Sequence, residues 1–162
     1  GATGEIVGRA ISMMRGYVNR PELTREILWT SPEGEVYYRS GDMGRIDEDG
    51  FIYILDRRKD MIISGGFNIY PVDLEKVLLS HPAVADATII GIPSEQWGET
   101  PLGLVVLKPD RDETEHGILE WANTQLGKSQ RLAAIEFRAT LPRSAIGKVL
   151  KRELRAPYWP GT

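Results

Sequence analysis

The apolar positions of the first 55 residues follow the short, alternating spacing that is typical of β-strands. Asp49 and Gly50 separate two such runs, and this pair favours a tight hairpin turn of type I′. Pro21 opens a short helix between the strands, because proline fits the first turn of a helix. Strands are predicted over residues 5–9, 36–38, 45–47 and 51–55.

From residue 71 onward, helix and strand spacings alternate. The predicted helix over residues 71–80 begins at Pro71 and is stopped by His81-Pro82. The predicted strand over 84–92 has one apolar parity, made up of Val84, Thr88, Ile90 and Ile92. The other predicted elements are a loop over 93–100, strands over 102–107 and 134–137, a short helix over 149–155 and a loose tail over 156–162.

A further helix is predicted to follow Asp112. Asp112 is a suitable N-cap, and Glu115 stands three residues later, as in a capping box. Leu119, Ala122 and Leu126 would then form the apolar face of this helix.

A polar connector separates the strand-rich part from the mixed part. Residues 57–60 are all charged, so we expect them to cross the surface. An apolar run over 61–63 predicts a short strand, and Gly65 and Gly66 follow it. Two adjacent glycines are typical of a hairpin turn, or of a site where a ligand approaches the backbone closely. The pattern predicts a small domain attached through a polar hinge.

Composition excludes several classes of function. The 162 residues suffice for one domain or two small ones, and charges are balanced at 20 basic against 23 acidic residues. This balance gives no reason to expect a nucleic-acid surface. Cysteine is absent, and His81 and His116 lie far apart, without a metal-ligand pattern. No apolar run reaches membrane length and no signal peptide is visible, so the expected location is the cytoplasm.

Individual polar residues each allow two interpretations. Asp42 could bind a sugar diol or cap its own turn. Arg57 and Arg58 could bind phosphate or ribose, or be solvated. Trp97 could stack on a base or belong to a core, and Lys148 could neutralise a phosphate or simply lie on the surface.

The order of five motifs adds information that no single residue carries. Together they resemble the C-terminal motifs of the adenylate-forming enzymes, a superfamily of acyl- and aryl-CoA synthetases, peptide-synthetase adenylation domains and firefly-type luciferases. The resemblance covers roughly residues 4–155. The motifs are Gly4-Glu5-Ile6-Val7-Gly8, Tyr38-Arg39-Ser40-Gly41-Asp42, Asp56-Arg57-Arg58-Lys59-Asp60, Ser64-Gly65-Gly66-Phe67-Asn68-Ile69-Tyr70-Pro71 and Pro142-Arg143-Ser144-Ala145-Ile146-Gly147-Lys148.

The resemblance implies an α+β fold with two parts and a tail. Residues 1–58 would be the strand-rich, barrel-like end of a large adenylating domain. Residues 59–155 would be a small mobile domain with a short central sheet flanked by helices, and 156–162 the loose tail. The Gly-rich phosphate loop and the acid-binding pocket of the family would lie upstream, so this chain is expected to be inactive alone.

The resemblance also assigns roles in a two-step reaction. A carboxylate attacks the α-phosphate of ATP, and the thiol of CoA then displaces AMP. Asp42 would bind the ribose hydroxyls and Arg57 would contact the same nucleotide. Lys59 would be the hinge residue, and Lys148 would be the catalytic lysine of adenylation.

The thiol step would use the hairpin motif. Ser64, Gly65, Gly66, Phe67 and Asn68 would line the tunnel for the pantetheine arm of CoA, and Trp97 would pack near CoA. The family often has Lys-x-Pro before the last strand, whereas residues 128–132 contain no proline. Lys128 and Arg131 are therefore only candidates for contacts to the CoA phosphates.

The cofactors implied are ATP/AMP, CoA and Mg²⁺, with the metal ligands expected outside this chain. The implied partners are a carboxylic acid, a protein acetyltransferase or deacetylase acting on Lys148, and a second copy of the chain. An acyl- or aryl-CoA synthetase is the first hypothesis. The alternatives are a peptide-synthetase adenylation domain, a luciferase-like enzyme, and a non-catalytic domain that binds CoA or nucleotide.

Overall fold

The computed structural model describes residues 2–160, which form two compact units that divide between Lys59 and Asp60. The first unit is built around one antiparallel sheet of four strands. The long strand β3 pairs with each of the other three. Within residues 2–59 these strands form an open sheet, which confirms the predicted strand-rich character of this part, and the barrel-like arrangement of the larger domain stays a prediction. The elements are β1 (Thr3–Gly8), α1 (Pro21–Glu26), β2 (Leu28–Thr30), β3 (Val36–Ile46) and β4 (Ile52–Arg57).

The hairpin between β3 and β4 forms as predicted, but its turn is not of type I′. Type I′ needs positive φ at both central residues, and here Gly50 has φ +87° whereas Asp49 does not adopt positive φ. The Asp47 carboxylate accepts hydrogen bonds from the N–H groups of Asp49 (3.1 Å) and Phe51 (2.9 Å). This side chain therefore organises a longer loop, because aspartate readily binds the backbone two residues on.

The second unit contains a five-stranded sheet flanked by helices, which confirms the predicted α+β fold. Strand β8 lies at its centre and pairs antiparallel with β5 and β7 and parallel with β9. The predicted loop over 93–100 is largely strand, since the β7–β8 pairing continues to Ser94 and Gly98. The elements are β5 (Ile62–Ser64), β6 (Phe67–Ile69), α2 (Pro71–Ser80), β7 (Val84–Ser94), β8 (Gly98–Leu107), α3 (Glu115–Gln125), β9 (Ala134–Phe137) and α4 (Lys151–Arg155).

A β-bulge decides which side chains of β7 face which core. The register shifts between Val84 and Asp86, so the parity of the strand reverses there. Val84 packs with Ile89 beneath α2 and α3, whereas Ile90 packs on the opposite face with the chain's C-terminal segment. The prediction that Val84 and Ile90 share one side is therefore wrong.

Helix α3 is capped by a different residue from the one predicted. Its N-cap is Thr114, whose hydroxyl oxygen accepts a hydrogen bond from the Gly117 N–H at 3.0 Å. The Glu115 carboxylate accepts from the Phe137 N–H at 2.8 Å instead of completing a capping box. Asp112 lies before the helix, in irregular chain. The helix therefore begins at Glu115, and the side chain of this first residue is also bonded to β9.

The predicted loose tail is wrong for residues 156–160, and Gly161 and Thr162 lie outside the described residues. The Tyr158 hydroxyl donates to the Glu136 carboxylate at 2.7 Å and accepts from Arg138 at 2.9 Å. Burial raises the pKa of Glu136, but hydrogen bonds from Tyr158 and Arg138 outweigh it and keep this pKa below its ordinary value. Trp159 Nε1 donates to the Gly91 carbonyl at 3.0 Å. These contacts dock the tail on β7 and β9.

Candidate functional site

The two glycines of the hairpin motif form a two-residue turn between β5 and β6. Ser64 pairs with Phe67, and Gly65 and Gly66 have φ +56° and +83°. Positive φ at both central residues is the requirement of a type I′ turn, which glycine meets without steric cost.

Trp97 packs directly against this turn. The Gly65 N–H donates to the Trp97 carbonyl at 2.9 Å. A Cβ on Gly65 would lie 2.7 Å from Trp97 Cε3, whereas a Cβ on Gly66 would meet nothing within 4 Å. The close approach therefore requires glycine at position 65. The Trp97 side chain remains 50% exposed, so it is not a core residue and presents a free aromatic surface.

A cleft of about 660 Å³ opens beside Trp97, which is within the size range of small-ligand sites. The predicted CoA-binding residues Ser64, Gly65, Phe67 and Trp97 line it, and Gly66 and Asn68 do not. Lys128 and Arg131 also line it, so the structure joins the two basic candidates to the hairpin. Six further residues line the cleft, belong to no motif and are not predicted from the sequence: Ser94, Gln96, Thr100, Ser129, Leu132 and Ala133.

Asp42 and Arg57 form a cross-strand pair in the first unit. They are directly opposite in the β3–β4 ladder, and Arg57 Nε lies 2.8 Å from Asp42 Oδ1. The pair fixes the carboxylate through one oxygen. Arg57 and Lys59 line a shallow cavity of about 440 Å³ beside it.

Arg58 has a structural partner rather than being only solvated. It lies 3.3 Å from Glu5, which also pairs with Arg39 at 2.8 Å. Its N–H donates to the Gly41 carbonyl at 2.8 Å. The connector is therefore attached to the first sheet at Arg58.

Lys148 lies on an exposed tight turn of the second unit. Gly147 has φ +82° and its N–H donates to the Ser144 carbonyl at 2.8 Å. The Ser144 hydroxyl oxygen accepts from the Lys148 N–H at 3.2 Å, and Arg143 bridges to Val149 across the turn. Lys148 is not among the residues that line the cleft.

No group of three or more His, Cys, Asp or Glu residues that could hold a metal occurs within residues 2–160. His81 packs edge-on against Trp121, and His116 lies 3.3 Å from Glu120. Among the described helices, none combines the length and the apolar character needed to cross a membrane.

Comparison with known proteins adds the family. Residues 73–148 match the AMP-binding enzyme C-terminal domain. This part of the chain belongs to that family. The match to the AMP-binding C-terminal domain ends at Lys148, whereas the β5–β6 hairpin and the docked tail lie in the same compact unit outside it.

Relatives extend the similarity over almost the whole chain. A 2-succinylbenzoate–CoA ligase of Bacillus cereus is 44% identical over 94% of this chain and 30% of the relative. ATP-bound MatB from Rhodopseudomonas palustris superposes with a TM-score of 0.86 at 34% identity, over 98% of this chain and 31% of that one. A Mycobacterium tuberculosis fatty acyl CoA synthetase gives 0.65 at 39% identity, over 96% and 30%.

The chain thus spans about 30% of the length of the curated relatives that it matches. The resemblance to the adenylate-forming enzymes, predicted from five motifs, is confirmed.

Proposed function

We propose that this chain is the C-terminal part of a ligase that activates a carboxylic acid with ATP and transfers the acyl group to CoA. The observation that carries the proposal is the match to the AMP-binding C-terminal domain, which contains both Lys148 and Trp97. The named CoA ligases among the relatives support CoA as the thiol. They differ in the acid that their names give, so we assign no acid.

In the first step Lys148 would act as the catalytic lysine. The carboxylate oxygen attacks the α-phosphorus, pyrophosphate leaves, and negative charge grows on the phosphoryl oxygens. An ammonium placed beside these oxygens stabilises that charge. The exposed turn suits this role, because Lys148 can enter a site formed by other parts of the enzyme.

Asp42 and Arg57 would hold the nucleotide. The Asp42 carboxylate accepts hydrogen bonds, as ribose hydroxyls require, and Arg57 fixes its orientation at 2.8 Å. Lys59 would be the hinge. It directly follows Arg58, whose N–H donates to the Gly41 carbonyl of the first sheet, and it ends the first unit.

In the second step the cleft would admit the pantetheine arm. The thiol attacks the acyl carbonyl and AMP leaves, while the thiol proton passes to solvent. Gly65 lets the chain pass close to Trp97, whose exposed ring is an apolar surface, and Lys128 and Arg131 add positive charge suited to CoA phosphates. Ser64 and Phe67 also line the cleft and would belong to this site. Gly66 and Asn68 would shape the hairpin only.

Lys148 would also be a site of control by a protein acetyltransferase. Acetylation removes the ammonium charge that adenylation needs. The support is its exposure on a tight turn. We propose no step that passes through Mg²⁺.

The test separates the two half-reactions in the full-length enzyme. Lys148→Ala should lower acid-dependent ATP–pyrophosphate exchange by about 100- to 1000-fold, as loss of one charge-stabilising contact does. Thioester formation from supplied acyl-adenylate should persist. Equal loss in both half-reactions would contradict the role of Lys148.

Gly65→Ala and Gly66→Ala form a matched pair for the cleft. Both place a Cβ at positive φ, but only the one at position 65 would collide with Trp97. Gly65→Ala should therefore slow thioester formation more than Gly66→Ala and leave pyrophosphate exchange intact. Identical kinetics of the two variants would contradict a role of the cleft in the thiol step.

A further inference from the structure

Backbone hydrogen bonds give the Lys148 turn its shape but do not attach it to the sheet. The Ser144 N–H donates to the Lys148 carbonyl at 2.8 Å, and the Leu150 N–H donates to the Pro142 carbonyl at 2.8 Å. Each of these bonds joins two residues of the same hairpin. They would therefore remain intact if the whole turn moved relative to the sheet.

The base of the turn is anchored by apolar packing. Leu141 is buried and Val149 partly buried, both against Ile90 and its neighbours. The tip has no such anchor, since Ala145 and Ile146 are exposed. The tip is therefore held by a polar contact and not by apolar packing.

Arg143 supplies that contact through both arms of its guanidinium. Nη1 donates to the Gly147 carbonyl at 2.7 Å, and Nη2 pairs with Asp86 Oδ2 at 2.5 Å. The guanidinium is planar, with its donors in a fixed fork. One rigid group therefore joins the carbonyl immediately before Lys148 to a strand of the central sheet.

Asp86 is itself held in place. The bulge in β7 turns it toward the face on which Ile90 packs, which is the face that the C-terminal segment crosses. Its Oδ1 accepts from the Ala87 N–H at 3.0 Å, while Oδ2 faces Arg143. The carboxylate is thus engaged at both oxygens.

We propose that Arg143 and Asp86 are positioning residues for Lys148 in the adenylation step. This inference rests on the proposed function of Lys148. Neither residue needs to touch the substrates. Their contacts set where the lysine enters the reaction, and a displacement of about 1 Å can cost about a hundredfold in rate.

The pair contributes little to folding, which makes the proposal testable. The side chains of Arg143 and Asp86 are 43% and 31% exposed, and ion pairs at such positions add little stability. Variants should therefore fold and melt like the parent enzyme.

The experiment uses Asp86→Asn and Arg143→Gln in the full-length enzyme. We expect kcat for ATP–pyrophosphate exchange to fall by about 10- to 100-fold with the KM for ATP unchanged. Thioester formation from supplied acyl-adenylate should be unaffected. Arg143→Lys should lie between, because an ammonium can hold the Gly147 carbonyl or Asp86 but lacks the fork that holds both.

Asp73→Asn is the matched control. It makes the same chemical change at an exposed carboxylate that pairs with Lys76 at 3.6 Å on α2. Its kinetics should equal those of the parent. The proposal is overturned if Asp86→Asn behaves like Asp73→Asn, or if it slows both half-reactions equally.

A second measurement separates this inference from the proposed function. A spin label attached at the exposed tip through Ile146→Cys in the full-length enzyme should become more mobile in Asp86→Asn and not in Asp73→Asn. Unchanged mobility of the label overturns the positioning role even if Lys148→Ala abolishes adenylation. If Lys148→Ala adenylates at the parent rate, the proposed function of Lys148 itself is wrong.

Discussion

The two units both contain antiparallel sheet, but they differ in where their apolar side chains lie. In the second unit, side chains such as Leu74, Leu78 and Leu104 have no exposed surface. In the part of the first unit that the structure describes, no apolar side chain is fully buried, and Ile54 is 67% exposed. Strand pairing therefore accounts for the first unit's backbone, whereas only the second unit has a core of its own.

This difference shows that the features that define strand register are not those that stabilise a unit. Turns and cross-strand pairs such as Asp42–Arg57 define the strand register of the first unit. Stability, however, comes mainly from burial of apolar surface, which must outweigh the conformational entropy of the chain. We infer that the first sheet depends on apolar contacts from outside residues 2–59. The curated relatives are more than three times longer than this chain, and their additional residues could supply these contacts.

The largest predicted effect is on independent folding. Residues 60–160 alone should unfold cooperatively on heating, because they retain every fully buried apolar side chain of the described residues. Residues 2–59 alone should show no cooperative transition. Circular dichroism at increasing temperature measures both. A cooperative transition in the shorter piece would show that strand pairing suffices.

A smaller effect is expected from single truncations. Leu78→Ala should lower the free energy of unfolding by about 2–5 kcal/mol, since Leu78 is fully buried between α2 and the sheet. Ile54→Ala should change it by less than about 0.5 kcal/mol, as exposed substitutions generally do. Urea unfolding of the whole chain compares them. Equal losses would mean that Ile54 is buried when the chain is in solution.

The sequence predicted those elements whose signals are local. The helix Pro71–Ser80 and the strand Ala134–Phe137 were predicted with their observed bounds. In the helix, Pro71 starts the first turn and His81-Pro82 stops the last. Such signals act within a few residues, so they can be recognised without tertiary information.

Features that depend on distant residues could not be predicted in this way. The bulge before Asp86 leaves no mark in the apolar pattern, yet it reverses the faces of β7. The tail looked loose because the partner of Trp159, the Gly91 carbonyl, is 68 residues away. Long-range contacts of this kind become visible only once the sheet is formed.

In the candidate site, too, local features are predicted from the sequence and long-range contacts are not. Motifs identified Gly65 and Lys148 by residue type and order, and the resemblance implied that Trp97 packs near CoA. They did not reveal that Gly65 lies against Trp97, or that Arg131 lines the same cleft. The first relation arises from the pairing of β5 with β8, which no local pattern encodes.

The smallest predicted effect tests the start of α3, where the sequence and the structure disagree about the capping residue. Thr114→Ala should lower the stability of residues 60–160 by about 1 kcal/mol, because it removes the hydroxyl that accepts from the Gly117 N–H at 3.0 Å. Asp112→Ala, at the predicted cap, should have almost no effect, and Thr114→Ser should restore the parent value. Urea unfolding measures all three. A larger loss for Asp112→Ala than for Thr114→Ala would mean that the sequence pattern, and not the observed hydrogen bond, marks the start of α3.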